Sequence, residues 1–87
     1  MIRRVVMPDW WEWELKFPDH LLRRMLDRGF SETDLRIMLS QPSGLQQDVE
    51  PGRWLVLTRW EGRSWKVVVE PDPVRRFLVV LTAYPIE

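Results

Sequence analysis

The only histidine of the chain, His20, is followed by Arg24 and Arg28 at steps of four residues. If this segment is helical, the spacing places the three side chains on one face. An imidazole exchanges a proton near neutral pH, and a guanidinium group can hold a phosphate through two parallel hydrogen bonds. Together with the neighbouring Arg23, these residues predict a site for a phosphate ester. A solvated basic helix face with a surface histidine is the alternative explanation.

A second set of candidate residues lies in the C-terminal half of the chain. Thr82 and Tyr84 alternate along the last predicted strand and therefore share one of its faces. A tyrosine there can donate its hydroxyl to a phosphate or stack on a base, or can simply be a strand-end residue with a buried ring. Lys66 interrupts an apolar run. It could position a phosphate, or its stem could pack while its ammonium group stays in water.

Tryptophan is over-represented, with six in 87 residues. Indole rings can stack on the bases of a single nucleic-acid strand. They can also supply the large apolar area that a small domain needs for its core. A third role, the anchoring of a protein partner, best fits the N-terminal cluster of Trp10, Trp11 and Trp13.

Length and composition restrict the class of protein. Eighty-seven residues predict a single domain over residues 1–87. The absence of cysteine excludes disulfides and thiolate zinc sites, and a single histidine excludes a histidine-rich metal centre. We therefore expect neither a metal nor a cofactor. Because thirteen basic residues balance thirteen acidic ones, any contact with nucleic acid must use locally concentrated charge.

The chain shows no targeting pattern. Only three apolar residues separate Arg4 from Pro8, which is too few for the core of a signal peptide. The longest apolar run, residues 78–81, is far shorter than the ~20 residues of a membrane span. We therefore expect a cytoplasmic protein without membrane contact.

Two short helices are predicted in the N-terminal half. Apolar and charged residues alternate over residues 11–17, which predicts a strand ended by Pro18. Asp19 can then cap a helix that ends at Gly29. A second helix follows at once, because Ser31 and the acidic residues after it resemble a capping box.

The second half of the chain predicts strands. A short strand over residues 45–49 precedes a hairpin of residues 53–60 and 63–70, which turns at Glu61-Gly62. A last strand covers residues 75–84. The order is β-α-α-β-β-β, with the short strand as an additional one. The fold class is therefore α+β, a helical hairpin packed on a small antiparallel sheet.

The register of the hairpin divides the sheet into two apolar faces. It places Val56 opposite Val67 and Thr58 opposite Trp65. One face then carries tryptophans together with residues 82 and 84, and the other is mainly aliphatic. Two short helices can cover only one face. We assign the aliphatic face to the helices, which leaves a Trp-rich face for the N-terminal segment, a partner or a ligand.

Three segments resemble a known family. The segment from His20 to Ser31 reads H-x-x-x-R-M-x-x-R-G-F-S, and the chain later contains W-K-V-V-V-E and V-V-L-T-A-Y. Over residues 18–84 the chain resembles the prokaryotic domain-of-unknown-function family forty-two fifty-eight. That family is itself similar to RelE-like toxins, which share the barnase–EndoU–colicin–RelE fold.

This resemblance implies a metal-independent endoribonuclease that is the toxin of a toxin–antitoxin pair. In such enzymes the RNA 2′-hydroxyl attacks the adjacent phosphate, one group removes its proton, and another protonates the leaving 5′-oxygen. The resemblance implies that His20 is the acid or base, that Arg24 and Arg28 bind phosphate, and that Tyr84 stacks or donates. RNA and a cognate antitoxin are then the expected partners.

A protein-interaction module is the alternative function. In that case the Trp-rich apolar face binds a partner or a second copy of the chain, and a homo-oligomer is expected. RelE-type toxins are usually strongly basic, whereas this chain has no net charge. The enzyme that the resemblance implies requires His20, an arginine and Tyr84 to converge within reach of one phosphate, and this interpretation fails if His20 and Tyr84 lie on opposite surfaces.

Overall fold

A computed structural model of the chain describes residues 7–86. The elements follow the predicted order, including the additional short strand, so the α+β class is confirmed. They are a 3₁₀ turn at Asp9–Glu12, β1 (Glu14–Lys16), α1 (Asp19–Arg28), α2 (Glu32–Ser40), β2 (Pro42–Gln47), β3 (Trp54–Trp60), β4 (Arg63–Asp72) and β5 (Phe77–Pro85). No helix in this part of the chain is both long enough and apolar enough to span a bilayer. Most of the segment considered for a signal peptide, residues 1–6, lies outside the described residues.

The five strands form one sheet in the order β1-β5-β4-β3-β2. Strands β2 to β5 are antiparallel, as predicted, whereas β1 pairs with β5 in parallel. The helical hairpin explains this mixed pattern. It carries the chain across one face, from β1 at one edge to β2 at the other, and the meander then returns to β5 beside β1. A parallel neighbour needs such a long crossover connection.

Helix α1 ends as the sequence predicts but begins differently. Gly29 adopts the left-handed conformation, with φ of 74°, and both its amide and that of Phe30 donate to the carbonyl of Met25. Glycine is favoured here because it adopts positive φ without steric cost. Asp19, predicted as the cap, is instead the first helical residue and follows Pro18 at the cap position. Its carboxylate lies in the first turn, where the helix dipole favours negative charge.

The predicted capping box of α2 is confirmed. The Ser31 hydroxyl accepts from the Asp34 amide at 3.2 Å, and the Asp34 carboxylate accepts from the Ser31 amide at 2.8 Å. Two amides that the helix leaves unpaired are thereby satisfied. This cap allows α2 to start with only three residues between it and α1, which closes the helical hairpin.

Replacing Ser31 with alanine is expected to lower the free energy of unfolding by about 1 kcal/mol, because the Asp34 amide loses its acceptor. Urea unfolding followed by circular dichroism measures this loss. Ser31→Asp is the control, since it restores an acceptor at the cap and should stay close to the wild type. Equal stability of Ser31→Ala and the wild type would contradict the role of the cap.

The N-terminal segment is a strand only in its second half. Residues 9–12 form the 3₁₀ turn, and strand pairing begins at Glu14. The turn packs Trp10 against Trp54, with ring centroids 5.6 Å apart, and against Trp11 at 6.1 Å. Packing of these rings on the core therefore replaces the extended conformation that strict alternation predicts.

The assignment of the sheet faces is wrong, because the helices cover the Trp-rich face. The predicted hairpin register is confirmed at every pair from Trp54↔Val69 to Trp60↔Arg63. The fully buried strand residues all lie on the face that carries Trp65, and they form one cluster with Leu21, Leu35 and other helix residues. The mainly aliphatic face has no described helix over it.

A bulge in β5 also changes the position of Thr82 and Tyr84. Val68 pairs with Thr82 and Val69 pairs with Val80, so residue 81 is an extra residue. One extra residue reverses the alternation beyond it. Ala83 consequently turns to the helix side and is buried, while Thr82 and Tyr84 share the opposite face with their partners Val68 and Lys66. The sequence analysis placed them on the Trp-rich face, and that placement is wrong.

Candidate functional site

A cavity lies between the end of α1 and the β3–β4 turn. Its volume is about 560 Å³. Aromatic rings, arginines and one carboxylate share its lining, which comprises Arg28, Gly29, Trp60, Glu61, Arg63, Trp65, Tyr84 and Pro85. A cavity that combines aromatic walls with a few charged groups is the usual form of a small-ligand site.

Two tight turns position these residues. Glu61 and Gly62 both have positive φ, 50° and 73°, as a two-residue hairpin loop requires. This turn places Trp60 directly opposite Arg63 at the end of the hairpin. On the other side, the left-handed Gly29 ends α1 immediately after Arg28. On each side of the cavity, a tight turn of the backbone therefore positions the lining side chains next to it.

Arg28 joins α1 to the last strand. Its Nη1 donates to the carbonyl oxygen of Ala83 at 2.7 Å, across 55 residues of sequence. A guanidinium group has five N–H donors, so this bond leaves others that can reach a ligand. This bond restrains the planar group beside the cavity, and a guanidinium in such a place is able to bind an anion.

The aromatic wall contains an unsatisfied donor. Trp65 is 4 % exposed and packs edge-on against Trp60 and Phe30, at centroid distances of 5.5 and 5.4 Å. Its Nε1 is buried and has no acceptor within residues 7–86. A buried donor without a partner costs about 1–3 kcal/mol, and the rings beside it offer at most a weak N–H···π contact.

The structure separates the predicted catalytic residues. Arg28 and Tyr84 border the cavity, whereas His20 and Arg24 do not. All three of His20, Arg24 and Arg28 lie on α1, so the prediction that this segment is helical is confirmed. Their side chains are exposed. His20 lies eight residues before Arg28, or ~12 Å along the helix axis. The predicted meeting of His20 with Tyr84 at one phosphate-sized cavity is absent from the described residues.

The remaining predicted residues lie elsewhere. Arg23 is exposed on α1. Lys66 and Thr82 belong to the sheet face opposite the helices. Trp10, Trp11 and Trp13, predicted to anchor a partner, are half-buried and pack against the core of their own chain.

Sequence reasoning missed the aromatic wall. The sequence analysis considers the tryptophans as possible stacking platforms but singles out neither Trp60 nor Trp65 for a site, and the structure shows that Trp60 lies at the turn opposite Arg63. What the sequence did not indicate was that Arg28 lies beside them, because that contact depends on how α1 crosses β5. Within residues 7–86 no cluster of three His, Asp or Glu side chains is placed to hold a metal ion.

The fold and the cavity together define a small α+β domain with an arginine and aromatic rings around one ligand-sized site. Residues 17–85 match the family described as Domain of unknown function (DUF4258). Because the match covers most of the chain, the chain belongs to this family, as the resemblance over residues 18–84 predicted. No curated protein and no solved structure is significantly similar to this chain.

Proposed function

We propose that this chain binds single-stranded RNA and that the cavity beside Arg28 holds one nucleotide. The observation that carries the proposal is the oriented guanidinium of Arg28 next to the rings of Trp60 and Trp65. A base can stack on an indole while its phosphate accepts from the arginine. The cavity volume lies within the ~300–1,000 Å³ that small-molecule sites occupy.

The exposed face of α1 supplies a path for the rest of the strand. From Arg28 it continues through Arg24 to His20, two helical turns away. A chain with no net charge needs its cations concentrated where RNA runs, and these arginines follow one another on one helix face. RNA held in the cavity would therefore extend its backbone toward His20.

His20 and Tyr84 do not meet, so we propose a different arrangement from the one that the resemblance implies: a toxin-like endoribonuclease that cleaves the RNA at His20 with Arg24 and without Tyr84. In this step the imidazole takes the proton of a 2′-hydroxyl, whose oxygen bonds to the adjacent phosphorus as the bond to the 5′-oxygen breaks. The products are a 2′,3′-cyclic phosphate and a 5′-hydroxyl that takes its proton from water. Arg24 stabilises the charge on the phosphate during attack. An antitoxin would restrain this activity in the cytoplasm.

The binding proposal predicts a loss of RNA affinity in two cavity variants. Arg28→Gln is expected to weaken binding of a labelled single-stranded oligoribonucleotide at least ~10-fold, because a charge-assisted hydrogen bond is worth about 1.5–3 kcal/mol. Trp60→Leu is expected to weaken it ~5- to 100-fold through lost stacking. Fluorescence anisotropy at several salt concentrations measures both affinities, and the salt slope should fall by about 1 in Arg28→Gln.

Arg75→Gln is the matched control, because Arg75 is exposed in the β4–β5 turn and does not border the cavity. It should bind like the wild type. Thermal melting of each variant shows whether loss of the Arg28–Ala83 bond has changed the fold. Wild-type affinity in the folded cavity variants, or a wild-type protein that binds no RNA at low salt, would overturn the proposal.

A further inference from the structure

The sheet has a second face that no described helix covers. Both helices and the 3₁₀ turn pack on the other side, around the buried cluster. We call this second face the open face. Its apolar residues are Leu55, Leu57, Val68, Phe77, Val79 and Leu81. Its charged residues on the central strand β4 are Lys66, Glu70 and, at the end of the strand opposite Phe77, Asp72. These apolar residues are half-buried, except that Val68 at the centre is only 9 % exposed.

The charges on β4 make the open face self-complementary. Lys66, Val68 and Glu70 follow one another at every second position, so a cation, an apolar residue and a carboxylate lie in one row. Lys66 forms no ion pair within residues 7–86. Glu70 pairs with Arg53 at 3.4 Å, but both side chains are more than two-fifths exposed, and such surface pairs contribute little.

These charges select one arrangement of two copies. A two-fold axis that crosses β4 at Val68 would bring Lys66 of each copy over Glu70 of the other, since the two β4 strands would then run in opposite directions. An axis parallel to β4 would instead place lysine over lysine and glutamate over glutamate. Only the first arrangement pairs opposite charges across an isologous interface, and it stacks two sheets at the usual ~10 Å separation.

The dimensions of the face suit such an interface. Five strands at ~4.8 Å spacing are about 24 Å wide, and the seven residues of β3 are about 23 Å long, which gives ~550 Å² per copy. Two copies would bury ~1,100 Å², just above the ~1,000 Å² expected of a specific interface. The interface would be small and apolar at its centre, with ion pairs on either side.

We propose that the open face binds a second copy of this chain through this two-fold arrangement, independently of the RNA-binding proposal. The dimer differs from the expected Trp-rich docking face, because the tryptophan side is occupied by the helices of the same chain. Arg28, Trp60 and Trp65 line the cavity from the helix side of the sheet, whereas Tyr84 lines it from the side of the open face.

Sedimentation velocity without RNA tests the dimer. The wild type is expected to sediment at twice the monomer mass of 10.6 kDa, with association weakened by added salt. Lys66→Glu and Glu70→Lys should each raise the dissociation constant at least 10-fold, because like charges then face each other. The double variant Lys66→Glu/Glu70→Lys exchanges the charges and should return the constant to near the wild-type value.

Arg75→Glu reverses a charge in the β4–β5 turn, away from the centre of the open face, and is the control. It should associate like the wild type. A wild type that stays monomeric at every concentration would overturn the proposal, as would single variants that dimerise normally or a double variant that does not recover. Because the sedimentation samples contain no RNA, a result that overturns the dimer does not affect the RNA-binding proposal, which has its own test.

Discussion

Truncating Leu21 to alanine is expected to lower the free energy of unfolding by about 3–5 kcal/mol. Leu21 is completely buried, and α1 contributes only one other buried residue, Met25, to the core. A chain of 87 residues has about 4–13 kcal/mol of stability in total, so the variant would lose a large part of it. Since α1 carries His20, Arg24 and Arg28, the same change should also abolish RNA binding wherever the protein unfolds.

Leu26→Ala removes the same atoms from the same helix at a position that is 85 % exposed. It should change the free energy of unfolding by no more than ~0.5 kcal/mol. Urea titration of both variants, followed by circular dichroism, gives the two values side by side. Similar losses for Leu21 and Leu26 would show that α1 does not dock through Leu21.

The elements that the sequence predicts well are those set by local chemistry. The turn at Glu61-Gly62 fixes the hairpin register because few residue pairs accept positive φ at both positions. The end of α1 at Gly29 and the capping box at Ser31 likewise depend only on residues within one helical turn. These features explain why the element order could be predicted from a single sequence.

The local sequence does not indicate which face of the sheet the helices cover. Both faces of β3 and β4 are apolar, so alternation indicates strands without indicating which side meets the helices. Thr58 shows in the structure which face is covered. It is buried, and its hydroxyl lies 2.7 Å from the carbonyl oxygen of Met38 and 3.1 Å from that of Gln41. A polar residue in this row is compatible with burial only because the end of α2 supplies acceptors.

The bulge in β5 could not be predicted from the local sequence either. Residue 81 is one member of an uninterrupted apolar run, and nothing around it indicates an extra residue. Its effect is nevertheless large, because it exchanges the faces of Ala83 and Tyr84. Of the residues predicted for a site, Arg28 and Tyr84 border the cavity, while the placement of Trp60 and Trp65 beside them followed only from the tertiary structure.

Replacing His20 with glutamine is expected to reduce RNA cleavage by about 10²- to 10⁴-fold, the usual contribution of a general base. His20 is exposed at the start of α1, beyond Arg24 and ~12 Å from Arg28. It contributes nothing to the core, so the variant should keep wild-type stability and wild-type affinity in the anisotropy assay. Loss of cleavage with retained binding is the combination that a structural role of His20 would not produce.

Two measurements check this expectation. Induced expression of the wild type should arrest growth and produce RNA fragments that end in a 2′,3′-cyclic phosphate, whereas His20→Gln should do neither. Asp27→Asn is the matched control, because it alters another exposed polar residue of α1 and should leave cleavage intact. Equal RNA fragmentation by the wild type and His20→Gln would remove His20 from the reaction. Intact RNA with the wild type would overturn cleavage altogether and leave the Arg28 cavity as a binding site, because RNA affinity depends on the stacking and phosphate contacts there and not on the imidazole.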